Sequence, residues 1–144
     1  MYYLDTSFAA ALVLHEENSE LAAAALQRVP SGEVWVSDWT EVEFASTVAG
    51  LVRMRLLHPQ AAARAVEQFE ALVAASFELL LPTRPDFERA RRYLAAPRTT
   101  LRGGDALHLA VAVNHGARAV LTFDRELIRA GRRLGVPVAS AIPR

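Results

Sequence analysis

The chain has 144 residues, 52% of them hydrophobic and 22% charged, with 16 basic and 16 acidic side chains that cancel to a formal net charge of zero. That length predicts a single domain spanning 1–144, and so apolar a composition excludes a disordered chain. Cysteine is absent and every basic residue is arginine, which excludes disulfides, thiolate metal sites, thiol nucleophiles, lysine Schiff bases and P-loop nucleotide hydrolases.

Tyr2-Tyr3-Leu4 is a short apolar run that stops at the polar trio Asp5-Thr6-Ser7, able to cap an Ala-rich helix from Phe8 to Leu14. A second helical run, Leu21 to Val29, ends at Pro30-Ser31-Gly32, and Val34-Trp35-Val36 reads as the second strand. Val42, Ala45, Val48, Ala49 and Val52 fall at the helical period between Trp39 and Leu56, and His58-Pro59 opens another helix to Ala75, predicting two antiparallel helices joined by a tight turn. Phe77 and Leu79 to Leu81 form a third strand, followed by a helix from Pro85 to Leu94 and a long loop from Pro97 to Gly104. Asp105 to Asn114 is apolar nearly all round, as a helix packed between sheet and neighbours would be. Ala119 to Thr122 is the fourth strand, a helix runs to Leu134, and Val138-Ala139 is a last short strand. Strands separated by helices predict an α/β fold: a parallel sheet of four to five short strands with about seven helices on its two faces.

The neutral total hides an asymmetry. Residues 1–72 carry ten acids against four arginines, and residues 73–144 carry twelve arginines against six acids. An acidic centre beside an Arg-rich face suits a metal-dependent enzyme acting on a polyanion. No apolar run approaches the roughly 20 residues of a membrane span, and the N-terminus lacks a basic signal-peptide segment, so a cytoplasmic protein without a membrane partner is expected.

In an open parallel sheet, ligands bind beyond the carboxyl ends of the strands. Asp5 ends strand one, Asp124 follows strand four, Glu43 lies early in the helix after strand two, and Asp105 opens the buried helix before strand four. If strands one and four are neighbours, these four carboxylates converge on one pocket. Each also has a capping explanation. Asp5, Asp105 and Asp124 all stand at predicted helix starts, and both Thr40-x-x-Glu43 and Asp38-x-x-Glu41 fit a capping box. Asp38 and Glu41 therefore compete with Glu43 for its role.

Four segments in order carry a resemblance: Tyr3-Leu4-Asp5-Thr6-Ser7, Ser37-x-x-Thr40-x-x-Glu43, Gly104-Asp105-Ala106-Leu107-His108-Leu109-Ala110-Val111-Ala112 and Leu121-Thr122-Phe123-Asp124. In these, across essentially its whole length, the chain resembles the PIN-domain ribonucleases, in particular the VapC-type toxins of bacterial toxin–antitoxin pairs. The resemblance implies a PIN-like three-layer fold and an endoribonuclease whose Asp5, Glu43, Asp105 and Asp124 are both the catalytic acids and the metal ligands, with Asp124 acting through water. It implies Thr6, Ser7 and Thr122 as polar helpers, and as partners an RNA substrate, a cognate antitoxin protein and a second copy of the chain in a homodimer. Cleavage by water would leave a 5′-phosphate and a 3′-hydroxyl. Hard oxygen ligands suit Mg²⁺ or Mn²⁺, which can lower the pKa of bound water and neutralise charge developing on phosphate oxygens.

Among other features, His108 on so apolar a helix is expected to be a packed core histidine. His15, His58 and His115 sit at helix ends, where solvent or capping explains them. Arg98 and Arg102, in the loop before Asp105, are candidates to grip RNA phosphates. Trp35 and Trp39 are expected to pack at the core or its margin. The faces Leu21–Leu26 and Leu51–Leu57, with Met54, could hold a partner helix or second subunit. Two other readings stay open: a non-catalytic PIN-like module binding RNA or protein, whose acids are caps, and an aspartyl phosphatase, against which stand Ser at position 7 and the missing lysine.

Overall fold

The computed structural model describes residues 1–97 and 100–140. Its five strands form one wholly parallel sheet in the order β3-β2-β1-β4-β5. These are β1 (Tyr2–Leu4), β2 (Val34–Ser37), β3 (Glu78–Leu80), β4 (Ala119–Leu121) and β5 (Val138–Ala139). Seven helices connect them: α1 (Thr6–Val13), α2 (Ser19–Leu26), α3 (Asp38–Arg53), α4 (Pro59–Ser76), α5 (Arg84–Leu94), α6 (Gly103–Asn114) and α7 (Arg125–Leu134).

The three layers follow from strand alternation, since successive side chains point to opposite faces. Leu4, Val34, Val36 and Leu121 pack with Phe8 of α1, Ala22 of α2, Phe44 and Val48 of α3, and Phe69 of α4. Tyr3, Trp35 and Val120 pack on the other face with Ala90 of α5, the length of α6 and Leu127 of α7. Buried on both sides, the central strands β1, β2 and β4 read as largely continuous apolar runs rather than alternating ones, whereas edge strand β3 is largely exposed. Trp35 and Trp39 lie at the margin of the second core, as expected.

β1 pairs with both β2 and β4. From β1 the chain winds outward to β2 and β3, and from β4 it winds the other way to β5, so the crevice between the ends of β1 and β4 is the topological switch point. Neighbouring strands one and four are the condition on which convergence of the acids depends.

Helix starts differ from the sequence pattern by a few residues, for reasons visible at the caps. Asp5 itself is the N-cap of α1, accepting from Phe8 N at 2.9 Å, so Thr6 and Ser7 lie inside the helix. Ser37 is the N-cap of α3 and its backbone N–H donates to Thr40 Oγ1 at 3.1 Å, so neither capping box involving Glu43 or Glu41 forms. The buried helix starts at Gly103, which makes Asp105 its third residue rather than its cap. α7 stops where Gly135 takes φ 71°, a left-handed turn that favours glycine. At that end of the fold, a Cβ on Gly131 would stand 2.5 Å from Val138 Cγ1, so only glycine lets α7 lie this close to β5.

Candidate active site

A pocket of about 540 Å³ opens at the carboxyl ends of β1 and β4, and Asp5, Glu43, Asp105 and Asp124 all line it together with Thr6 and Ser7. The four acids come from the end of β1, the second turn of α3, the first turn of α6 and the cap of α7. Four distant stretches of chain thus meet because β1 and β4 are adjacent and the starts of α3 and α6, helices on opposite faces of the sheet, both reach the pocket at its carboxyl edge.

Asp5 is 4% exposed, and both of its oxygens are engaged. Ser7 Oγ donates to Oδ1 at 2.8 Å, and Thr122 Oγ1 donates to Oδ2 at 2.6 Å. Burial pushes the Asp5 carboxyl above its ordinary range, opposed by His108 and by the hydrogen bonds from Thr122, Phe8 and Ser7. Thr122 also accepts from Asp124 N at 3.0 Å, and Phe123 N donates to Ser7 Oγ at 2.9 Å. Two of the three expected polar helpers, Ser7 and Thr122, therefore join the end of β1 to the end of β4, while Thr6 turns to Glu43. Asp124 caps α7, accepting from Glu126 N at 2.7 Å and Leu127 N at 3.2 Å.

Glu43 has no capping partner. Its Oε2 receives Thr6 Oγ1–H at 2.7 Å and stands 2.7 Å from His108 Nε2. Burial raises the Glu43 carboxyl, but the hydrogen bond and charge of His108, with Thr6 and Trp39, carry it below its ordinary range. The buried Trp39 Nε1–H reaches no acceptor within hydrogen-bond distance among the described residues, so its pull on Glu43 is the weakest of these. A Cβ on Gly104 would overlap Glu43 Oε1 and stand 3.2 Å from both Glu43 Cδ and Trp39 Cζ2, so glycine is what lets α6 approach the carboxylate.

Asp105 Oδ2 accepts from Arg102 N at 3.0 Å. Burial lifts its carboxyl above the ordinary range, and the charges of Asp124 and Glu43 lift it further. A carboxyl lifted by the negative charge around it marks a pocket that favours a cation, and carboxylate and hydroxyl oxygens fit Mg²⁺ or Mn²⁺. Among the described residues no three Asp, Glu or His groups stand close enough to share one ion directly. A cation here would therefore be held by one or two of these carboxylates and by waters, the usual arrangement for Mg²⁺.

The sequence pattern does not single out Glu16, Asn18, Ser46 and Thr47, which also line the pocket. Ser46 and Thr47 lie three and four residues after Glu43 and share its helix face, a spacing that could have found them. His108 is buried as expected, at 2% exposed, yet its ring lines the pocket within a polar network. Arg102 is exposed, supplies the backbone N–H that meets Asp105 and does not line the pocket; Arg98 lies outside the described residues. His58 caps α4, accepting from Gln60 N at 3.3 Å, and His115 stands 3.5 Å from the buried Asp86.

Among known proteins, the PIN domain family model matches residues 2–133. No curated protein sequence matches significantly. Similar solved structures include VapC20 of Mycobacterium tuberculosis, a sarcin–ricin-loop-cleaving toxin, at 23% identity over 91% of this chain and 95% of that one, with a TM-score of 0.72. FitAcB of Neisseria gonorrhoeae is 23% identical over 96% of each chain, with a TM-score of 0.73. VapBC-1 of nontypeable Haemophilus influenzae is 15% identical over 96% of each chain, with a TM-score of 0.68. At these identities the structures share the fold, while the family model spans nearly the whole sequence: the chain belongs to the PIN-domain family.

Proposed function

We propose that this protein is a Mg²⁺- or Mn²⁺-dependent endoribonuclease and the toxin of a toxin–antitoxin pair. The observation that carries the reading is that Asp5, Glu43, Asp105 and Asp124, from four separate segments, line one pocket in which Glu43 serves no helix end. Capping alone accounts for Asp5 and Asp124, but it leaves Glu43 without a reason to be there.

Asp5 is the fixed member of the set, its position held by Phe8 N, Ser7 and Thr122. Asp105 and Glu43 supply the negative charge on the α6 side, and Asp124 acts through water. The cation, when bound, supplies activation of a water and neutralisation of charge on the phosphate oxygens. Without lysine, the phosphate-gripping side chains are arginines: Arg102, at the start of α6, and Arg98 earlier in the same sequence segment.

An apolar groove of about 520 Å³, lined among others by Leu14, Leu51, Leu56 and Leu57, shares Glu16 with the acidic pocket. That continuity supports an antitoxin segment that lies along the groove and places an arginine among the acids, where a guanidinium pairs with carboxylates. Leu79 of β3, Leu81 just after it, and Phe87 and Leu94 of α5 are exposed apolar side chains that a homodimer would cover. No helix among the described residues is long and apolar enough to cross a membrane, and we place the protein in the cytoplasm.

The test is cleavage of a structured RNA by purified protein with Mg²⁺ or Mn²⁺. Cutting that stops in EDTA and is lost in Asp5→Asn and Glu43→Gln is the expected result. Equal cutting in EDTA refutes metal dependence, and failure to cut RNA or to bind divalent metal favours a non-catalytic binding module.

A further inference from the structure

We infer that His108, backed by Tyr3, is a positioning residue that holds Glu43 turned into the acidic pocket; the inference rests on the metal-dependent reading of that pocket. His108 lies on α6 three residues after Asp105, so the helix that delivers one acid also delivers the imidazole that meets another. Its Nε2 is 2.7 Å from Glu43 Oε2 and 3.2 Å from Thr6 Oγ1, and its Nδ1 is 2.8 Å from the Tyr3 hydroxyl.

The proton positions follow from what each atom can do. A carboxylate only accepts, so Nε2 donates to Glu43, while Nδ1 and the Tyr3 hydroxyl share the second hydrogen bond, accepted by a neutral ring and donated by a charged one. The Tyr3 oxygen in turn lies 2.7 Å from Ser37 Oγ and 3.3 Å from Thr40 Oγ1. Glu43, His108, Tyr3 and Ser37 thus form one buried polar chain that ties α3, α6 and β1 together. Both ring nitrogens are occupied, so the imidazole is not a free ligand or base for substrate.

The geometry also distinguishes the two oxygens of Glu43. Thr6 and His108 both meet Oε2, while Oε1 lies against Gly104, the residue before Asp105. The Glu43 side chain has three free torsions and is partly exposed. Without two donors on one oxygen it would sample solvent, and the placement of Oε1 beside Gly104 would be lost. Partners that orient a metal-binding carboxylate typically matter 10–100-fold for metal affinity.

The experiment measures Mn²⁺ affinity by calorimetric titration of the full chain, beside RNA cleavage resolved into kcat and KM. His108→Leu should weaken Mn²⁺ binding roughly 10–100-fold and lower kcat while KM changes little. His108→Gln, whose amide can reach the place of Nε2, should recover most of the affinity. In the background of Glu43→Gln, His108→Leu should cost almost nothing more, because the two act as one unit. If His108→Leu does not fold, Tyr3→Phe carries the same test, since it leaves the ring but removes its orienting hydroxyl and should weaken Mn²⁺ binding in the same direction. A folded His108→Leu or Tyr3→Phe with the parent's Mn²⁺ affinity, or a full additional loss on top of Glu43→Gln, overturns the role of His108. A parent that binds no Mn²⁺ overturns the metal reading itself, and this inference with it.

Discussion

Two adjacent glycines at the start of α6 make a matched experiment. A Cβ on Gly103 meets nothing within 4 Å, whereas a Cβ on Gly104 overlaps Glu43 Oε1 and crowds Trp39. Gly103→Ala should therefore show only the backbone benefit, about 0.4–1 kcal/mol from a less flexible unfolded chain. At this chain length that is a rise in Tm of about 1–4 °C. Gly104→Ala gains the same term but forces the Glu43 carboxylate to rotate away, breaking its bonds to Thr6 and His108. Hydrogen bonds to a charged group are worth about 1.5–3 kcal/mol each, but the Glu43 side chain is 28% exposed and water replaces part of that. The net change should lie between about zero and a loss of 2 kcal/mol, below Gly103→Ala in either case. The larger effect falls on the site: Mn²⁺ affinity and RNA cleavage should drop at least about tenfold in Gly104→Ala and stay at the parent's level in Gly103→Ala. Thermal melts with and without Mn²⁺, run beside a cleavage assay, separate the two. Gly104→Ala with the parent's activity and Mn²⁺ response would refute the placement of Glu43 against α6, and equal losses in both variants would trace the effect to the helix start instead.

Asp105→Asn keeps an oxygen for Arg102 N and removes a charge facing Asp124 and Glu43, so metal-free protein should melt at the same temperature or higher while its Mn²⁺ stabilisation disappears; a clearly lower Tm in EDTA would show that the acid is only a helix-start partner. Thr122→Val keeps the shape but takes the donor from Asp5 and the acceptor from Asp124 N, and should cost about 1–3 kcal/mol in a denaturant titration; no loss would contradict the 2.6 Å contact. The pH dependence of metal-free protein follows from opposed shifts. Asp5 and Asp105, held up mainly by burial, contribute stability that is full below the ordinary carboxyl range and is lost as pH rises through their raised values. Glu43 and Asp86 are opposed by burial but held down on balance, Glu43 chiefly by His108 and Asp86 by Thr83, Asn114 and His115; they contribute stability present above that range and lost as pH falls through their lowered values. In EDTA the Tm should therefore rise as falling pH protonates Asp5 and Asp105, and fall again at lower pH as Glu43 and Asp86 are protonated. A Tm in EDTA that only falls on acidification from alkaline pH would refute the raised pair.

The pattern of apolar runs and breakers in the sequence already predicts four to five strands, about seven helices and their order along the chain, because each element must bury a face whose period is set by its own backbone geometry. Short motifs around Asp5, Glu43, Asp105 and Asp124 mark the family for the same local reason: each sits where a strand ends or a helix begins. Sequence alone leaves Glu43 tied with Glu41 and Asp38, and only the tertiary structure separates them. Ser37 and Thr40 close the cap of α3 between themselves, which turns Glu43 toward Thr6 and His108, 37 and 65 residues away in the chain. His108 shows the same division. Its burial is legible in the apolar helix around it, but its contact with Glu43 depends on α3 and α6, from opposite faces of the sheet, meeting beyond the ends of neighbouring strands β1 and β4. That adjacency is a non-local pairing, and no local period along the chain encodes it.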